Sequence, residues 1–131
     1  MVDIKEFKGI QYDKEKIEDM EKVITQPYDK ISEEMQDEYY DDSEYNYCRL
    51  ILPKEENRYE MAAKRLKDWL REEILKKEEK PGIYVYYSDF EVLGKKYTRK
   101  GFISAVKLHP FEEGKVLPHE ETHKGPKIDR L

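Results

Sequence analysis

The sequence predicts an α+β fold in which an antiparallel sheet is built around a long β-hairpin (about 83-108) with flanking helices. Two patterns predict this class. Apolar residues recur every three or four positions in residues 57–77, as on one face of a long helix. Apolar and polar residues alternate on either side of Leu93-Gly94-Lys95, as in two strands joined by a tight turn. With 131 residues, the chain is expected to form a single α+β domain, residues 1–131.

Two short helices are predicted in the N-terminal part of the chain. Asp13 is a candidate cap for a helix through about Ile24, in which apolar residues recur at helical spacing. The segment Gln26-Pro27-Tyr28-Asp29 ends this helix, because proline restricts the residue before it and lacks a backbone donor. Asp29 is therefore expected in a turn. Ser32 then caps a second helix through about Tyr40.

A strand and the long helix are predicted next. The run Cys48–Leu52, closed by Pro53, is typical of a buried strand in which the cysteine is a small core residue rather than a reactive thiol. Asn57 and Glu60 have the spacing of a capping box. They predict the start of the long helix, which is expected to continue to about Lys77.

The predicted hairpin carries apolar side chains on both faces, because successive aromatic residues such as Tyr86 and Tyr87 point to opposite sides of a strand. We expect one face to pack on the long helix, where Trp69 anchors the core. The second face needs a cover. The N-terminal helices or a partner would supply it, and the sequence leaves both alternatives open.

Composition and charge narrow the functional classes. Charged residues make up 42% of the chain and the net charge is -5, so binding to nucleic acid is unfavourable without a local basic patch. The aromatic content of 12% supplies the large apolar side chains that disordered chains lack. No apolar run is long enough for a signal peptide core or a membrane span, and we expect a cytoplasmic protein.

A histidine-rich segment near the end of the sequence suggests zinc chemistry. Residues 119–123, His-Glu-Glu-Thr-His, match the pattern in which two histidines one helical turn apart bind zinc, with Glu120 as general base. The context opposes a zinc site, because the segment has no apolar residue and Gly125-Pro126 ends any helix there. We therefore assign no metal ligands, and zinc-dependent hydrolysis remains a minor alternative.

Five segments, in order along nearly the whole chain, carry a family resemblance. They are IKEFKGIQYD (Ile4 to Asp13), QPYDKIS (Gln26 to Ser32), YNYCRLILP (Tyr45 to Pro53), YTRKGFISAV (Tyr97 to Val106) and VLPHEETHKGPKIDRL (Val116 to Leu131). Together they resemble the domain of unknown function 1015 family. Members of that family are longer and carry a D-G-H-H-R box similar to that of ParB-like serine kinases and sulfiredoxins. The resemblance implies that this chain is the N-terminal part of the family pattern, as an expressed fragment, a proteolytic product or a truncated gene product.

The resemblance also implies a function and candidate site residues. If the chain is related to ParB-like kinases and sulfiredoxins, the resemblance implies that the full-length protein is a phosphotransferase. It would use ATP or ADP with Mg²⁺ and act on a small hydroxyl substrate such as serine. Asp29 or Glu120 would orient or deprotonate the acceptor hydroxyl or hold Mg²⁺, and His119 would shuttle the proton. Lys127 and Arg130 would neutralise the phosphate charge.

The same resemblance leaves a second class of function open. Under this second interpretation, the chain is a SpoOJ/ParB-like regulatory or binding module that catalyses no reaction. The expected partner is the remainder of the family fold, or another protein that covers the second hairpin face. In either reading we expect the isolated chain to be inactive and to hold no cofactor tightly.

Overall fold

The structure, a computed structural model, describes residues 1–118, which form two compact units. Unit 1 consists of Met1–Gly9 together with the described residues from Glu78 onward, and unit 2 is Ile10–Lys77. Helices and antiparallel strand pairs are both present, which confirms the predicted α+β class. The expectation of a single domain over residues 1–131 stays a prediction.

The helices and strands of residues 1–118 have the following bounds. The strands are β1 (Ile4–Lys5), β2 (Ile10–Tyr12), β3 (Leu75–Lys77), β4 (Tyr84–Val92), β5 (Lys95–Ile103) and β6 (Ala105–Val106). The α-helices are α1 (Glu33–Asp42), α2 (Cys48–Ile51) and α3 (Arg58–Arg71). Short 3-10 helices cover Met20–Lys22, Tyr28–Lys30 and Phe111–Glu113. Within this part of the chain, no helix has the length and apolar character that a membrane span requires.

Unit 2 is built around Trp69, as predicted. Only 5% of this residue is exposed, and the rings of Tyr45 and Tyr12 lie 5.8 Å and 6.3 Å from the indole, measured between centroids. Strands β2 and β3 pair antiparallel beside it. The remaining buried members of this core also belong to unit 2, and they are Ile17, Val23, Ile74 and Leu75. Among residues 1–118, all buried members of this core therefore belong to unit 2. The expected packing of one hairpin face on the long helix stays a prediction.

The predicted helix from Asp13 to Ile24 is wrong. The Asp13 side chain accepts a hydrogen bond from the backbone N–H of Glu15 at 3.0 Å, and the Asp13 N–H donates to Ile74 at 2.9 Å. Asp13 thus continues the pairing of β2 and begins a local turn, which competes with helix formation. Helical backbone in this stretch is limited to the 3-10 helix Met20–Lys22.

The predicted strand Cys48–Leu52 is also wrong, because Cys48–Ile51 forms the short helix α2. The side-chain oxygen of Asn46 accepts a hydrogen bond from the backbone N–H of Cys48 at 2.9 Å, which satisfies a donor that a helix start leaves free. Cys48 is fully buried, so its predicted role as a core residue is confirmed.

The long helix α3 begins where it was predicted and ends earlier. Asn57 precedes it, but the Asn57 amide donates to the Glu60 carboxylate at 3.3 Å instead of closing a capping box with the backbone. The helix ends at Arg71, and Glu73 adopts a left-handed conformation with φ of 58°. The predicted end at about Lys77 was too late, because Leu75–Lys77 pairs with β2 as strand β3.

The long hairpin of unit 1 is confirmed. Strands β4 and β5 pair from Tyr84 with Ile103 to Val92 with Lys95. Leu93 and Gly94 both have positive φ, as a type I′ turn requires. The second arm ends before the predicted residue 108, because β6 pairs with β1 instead of β4. Apolar side chains are exposed on both hairpin faces, for example Tyr86 at 45% and Tyr87 at 66%.

Candidate functional site

Asp29 is the one predicted site residue within residues 1–118. It lies in the 3-10 helix Tyr28–Lys30, which follows Pro27, so the predicted turn is confirmed. The turn is closed by a hydrogen bond of 2.8 Å from the Lys30 N–H to the Pro27 carbonyl oxygen. The Asp29 carboxylate is exposed and has no hydrogen bond or ion pair within the described part of the chain. It is thus available to a ligand, on a backbone segment that the turn holds in place.

The other predicted site residues, His119, Glu120, Lys127 and Arg130, lie outside the described residues. The same holds for the zinc-like segment 119–123. Their proximity to Asp29 therefore stays a prediction. Among residues 1–118, no three or more His, Cys, Asp and Glu side chains are grouped as a metal site requires.

A second group of polar side chains follows the last strand of unit 1. The Nδ1 atom of His109 lies 3.1 Å from the Glu113 carboxylate, and the Nζ atom of Lys115 lies 2.9 Å from the same oxygen, Oε2. Pro110 and the 3-10 helix Phe111–Glu113 bring the histidine and the glutamate together across one turn. We call His109, Glu113 and Lys115 the histidine cluster.

The histidine of this cluster has an unusual environment. Its side chain is 6% exposed, and its Nε2 atom is buried without a hydrogen-bond partner among the described residues. Buried polar atoms in proteins are nearly always paired, so this ring nitrogen is a candidate contact point for a bound water or ligand. The Lys115 side chain is 43% exposed, so the cluster extends from a buried nitrogen to the solvent.

Sequence reasoning missed this cluster. The sequence pattern that could have predicted it is weak. His109 and Glu113 are four residues apart, as on one turn of a helix, but Pro110 and Gly114 indicate a loop. The burial of His109 could not be read from its exposed neighbours, Leu108 and Phe111.

Two charged pairs elsewhere stabilise the fold of unit 2. The Nζ atom of Lys76 lies 2.5 Å from the Asp13 carboxylate, and this hydrogen bond holds the pKa of Asp13 below its usual range. The Arg65 guanidinium donates to both carboxylate oxygens of Glu55, which lowers the pKa of Glu55. Because each carboxylate is already paired with a cation inside the unit, neither is a candidate for substrate chemistry.

Unit 2 also contains an apolar cavity of about 370 Å³. Apart from the Tyr47 hydroxyl, its lining offers no side chain that could carry out acid–base chemistry; the other lining residues are Ile10, Leu50, Ile51, Ala62, Ala63, Leu66 and Leu75. Cys48 lies nearby in sequence, but burial raises the pKa of its thiol, which opposes formation of a nucleophilic thiolate. The cavity is therefore not a candidate catalytic site.

Comparison with known proteins adds one result. A family model described as a protein of unknown function, DUF1015, matches residues 4–131. Searches of curated proteins and of solved structures found no match to this chain.

Proposed function

Because the chain belongs to the DUF1015 family, we propose that it forms the N-terminal part of a nucleotide-dependent phosphotransferase that acts on a small hydroxyl substrate such as serine. The family match extends over residues 4–131 and so includes the segments that resemble the family pattern. The link from this family to ParB-like kinases and sulfiredoxins belongs to the proposal. In the longer family members that the resemblance implies, the D-G-H-H-R box would hold the nucleotide phosphates.

The observation that supports this function best is that the Asp29 carboxylate is exposed and has no partner among residues 1–118. An exposed carboxylate with no partner among residues 1–118, held on a short turn, can accept a hydrogen bond from a substrate hydroxyl or bind a cation. Mg²⁺ fits such a group, because proteins bind it with one or two carboxylates and leave its other positions to water and phosphates. When bound, Mg²⁺ supplies positive charge next to the transferred phosphoryl group.

The remaining predicted residues would complete the site from the C-terminal segment. Glu120 is the second candidate carboxylate for Mg²⁺ or for the acceptor hydroxyl, and His119 is the candidate proton shuttle. Lys127 and Arg130 would stabilise the negative charge on the transferred group, since fixed cations favour a phosphoryl-transfer transition state. These four assignments rest on the family resemblance.

The role of Asp29 is tested in a version of the chain that is extended through the family's D-G-H-H-R box, here called the longer protein. We expect Asp29→Asn to lower kcat for serine phosphorylation about 100-fold or more, because a positioned carboxylate contributes on that scale. Asp42→Asn changes an exposed carboxylate at the end of α1 and serves as the matched control. Equal activity of the two variants would remove Asp29 from the site.

A second candidate function is a non-catalytic binding module. The exposed apolar side chains on both faces of the β4–β5 hairpin favour it, because a two-stranded hairpin without a covered face is only marginally stable. Hydrogen exchange of β4 and β5 is compared in this chain and in the longer protein. If the amides of β4 and β5 are protected from exchange in the longer protein alone, the remainder of the family fold covers the hairpin.

Zinc-dependent hydrolysis through residues 119–123 stays a prediction. Residues 1–118 supply no grouped metal ligands in support of it. The zinc content of protein purified without a histidine tag tests this alternative directly.

A further inference from the structure

The contacts of the histidine cluster determine which ring nitrogen of His109 carries the hydrogen. A carboxylate only accepts hydrogen bonds, so the Nδ1 atom, 3.1 Å from Glu113, donates to it. The Lys115 ammonium forms an ion pair with the same carboxylate oxygen of Glu113 at 2.9 Å. In the neutral imidazole, Nε2 then keeps its lone pair and acts as an acceptor.

This acceptor is enclosed and unsatisfied. The His109 side chain is 6% exposed, and Nε2 has no hydrogen-bond partner within residues 1–118. A buried acceptor without a donor is unfavourable, and the free energy is recovered when a donor group binds to it. The group that fits Nε2 is therefore a hydrogen-bond donor, such as a hydroxyl.

We propose that His109 is a catalytic residue, the general base for the hydroxyl substrate, and that Glu113 is the positioning residue that fixes its tautomer. This inference deepens the proposed phosphotransferase function and rests on it. It gives the role of general base to a histidine that the sequence-based hypothesis did not include.

The proposed step conserves atoms and charge. The substrate O–H bond breaks, its proton moves to Nε2 of His109, and its oxygen forms a bond to the terminal phosphorus of ATP or ADP. The bond between that phosphorus and its bridging oxygen breaks, and the nucleotide leaves with the electron pair. His109 becomes an imidazolium that the Glu113 carboxylate stabilises through Nδ1–H, and the proton then passes to solvent.

The first part of the test reads the imidazole directly and does not depend on turnover. The longer protein is labelled with ¹⁵N in histidine, and ring nitrogen spectra are recorded with and without L-serine at neutral pH. We expect the Nδ1–H tautomer at His109 in the free protein and a shift of the Nε2 signal when L-serine is added. Glu113→Gln is expected to weaken the preference for this tautomer.

The second part measures the rate of serine phosphorylation as a function of pH. We expect His109→Gln to lower kcat about 100- to 10,000-fold, with the KM for the nucleotide nearly unchanged. The acidic limb of the wild-type profile should disappear in this variant and should move in Glu113→Gln. His123→Gln is the matched control, because that histidine has no role in the proposed step. Circular dichroism of each variant checks that it is folded.

The outcomes separate this inference from the function on which it rests. If wild-type protein forms no phosphoserine but L-serine shifts the Nε2 signal, the phosphotransferase function fails and the hydroxyl site at His109 stands. If phosphoserine forms, and His109→Gln keeps the activity and the acidic limb of the control, the base assignment is overturned. An Nε2 signal that does not respond to L-serine, or that responds to zinc alone, also overturns it.

Discussion

The hydroxyl oxygen of Tyr84 accepts a hydrogen bond from the backbone N–H of Gly9 at 2.6 Å. The same hydroxyl donates to the carbonyl oxygen of Phe7 at 3.3 Å, and the Phe7 ring lies 5.0 Å from the Tyr84 ring. The first residue of β4 thereby joins the N-terminal segment to the base of the hairpin within unit 1. A Cβ atom on residue 9 would lie 2.7 Å from the phenol of Tyr84, so the contact requires glycine.

Gly9→Ala should therefore destabilise unit 1. We expect a loss of about 1–3 kcal/mol in the free energy of unfolding, which is typical when a methyl group is forced into a packed site. Urea unfolding followed by tyrosine fluorescence measures it. Gly82→Ala is the matched control, because a Cβ there has nothing within 4 Å. Equal losses in the two variants would contradict this description of the contact.

Asn46 is expected to be the most sensitive polar residue of unit 2. Its side chain is fully buried, donates to the Lys22 carbonyl oxygen at 2.8 Å and accepts from the Cys48 N–H at 2.9 Å. Asn46→Ala leaves both backbone groups unpaired, so we expect a loss of about 1–3 kcal/mol or more. Asn57→Ala, at an exposed helix start without a side-chain cap bond, should cost much less in the same urea titration.

Cys48 should react slowly with thiol reagents. The residue is fully buried, and burial raises the pKa of its thiol. Both effects oppose attack by a thiolate, which is the reactive form. We expect slow colour development with Ellman's reagent at pH 8 and rapid reaction in concentrated urea. Rapid reaction of the folded protein would show that the cysteine is accessible and would contradict its role in the core.

The Asp13–Lys76 pair should make the free energy of unfolding depend on pH in the acidic range. The hydrogen bond from Lys76, followed by that from the Glu15 N–H, holds the pKa of Asp13 below its usual range. Because the folded value is the lower one, the stabilisation is present above the unfolded pKa of about 3.9 and is lost as the pH falls through the folded value.

Urea midpoints at pH 5 and pH 3 measure this contribution. Wild-type protein should lose more stability over this interval than Asp13→Asn, which cannot titrate at that position. Asp42→Asn should behave like wild type. An acid response that is the same in wild type and Asp13→Asn would show that the pair contributes nothing to it.

The features that the sequence predicted correctly depend on local chemistry. The hairpin follows from period-two alternation and a glycine in the turn, where Gly94 has φ of 75°. Helix α1 follows from Ser32, whose hydroxyl accepts a hydrogen bond from the Met35 N–H at 3.2 Å. Each signal is contained in a few neighbouring residues, so it can be read without knowing the tertiary structure.

The errors arise where distant residues decide the backbone. Ile74 fits the apolar pattern of α3 and extended the predicted helix, but Leu75–Lys77 pairs with β2, far away in sequence. A short apolar run such as Cys48–Leu52 does not distinguish a strand from a helix. The start of this helix is held by distant residues, because the carbonyl oxygens of Lys22 and Val23 accept hydrogen bonds from the Asn46 side chain and the Tyr47 N–H. For the candidate site, the turn at Asp29 was predictable from Pro27, whereas the burial of His109 depends on tertiary packing.

Participation of this chain in a phosphotransferase site can be tested in a single comparison. ADP, ATP and L-serine are titrated with Mg²⁺ into this chain and into the version extended through the family's D-G-H-H-R box, and phosphoserine is assayed in each mixture. We predict nucleotide binding and phosphoserine formation in the longer protein alone. Neither binding nor phosphoserine in either protein, with zinc retained by the short chain, would contradict the phosphotransferase function and favour the metal site.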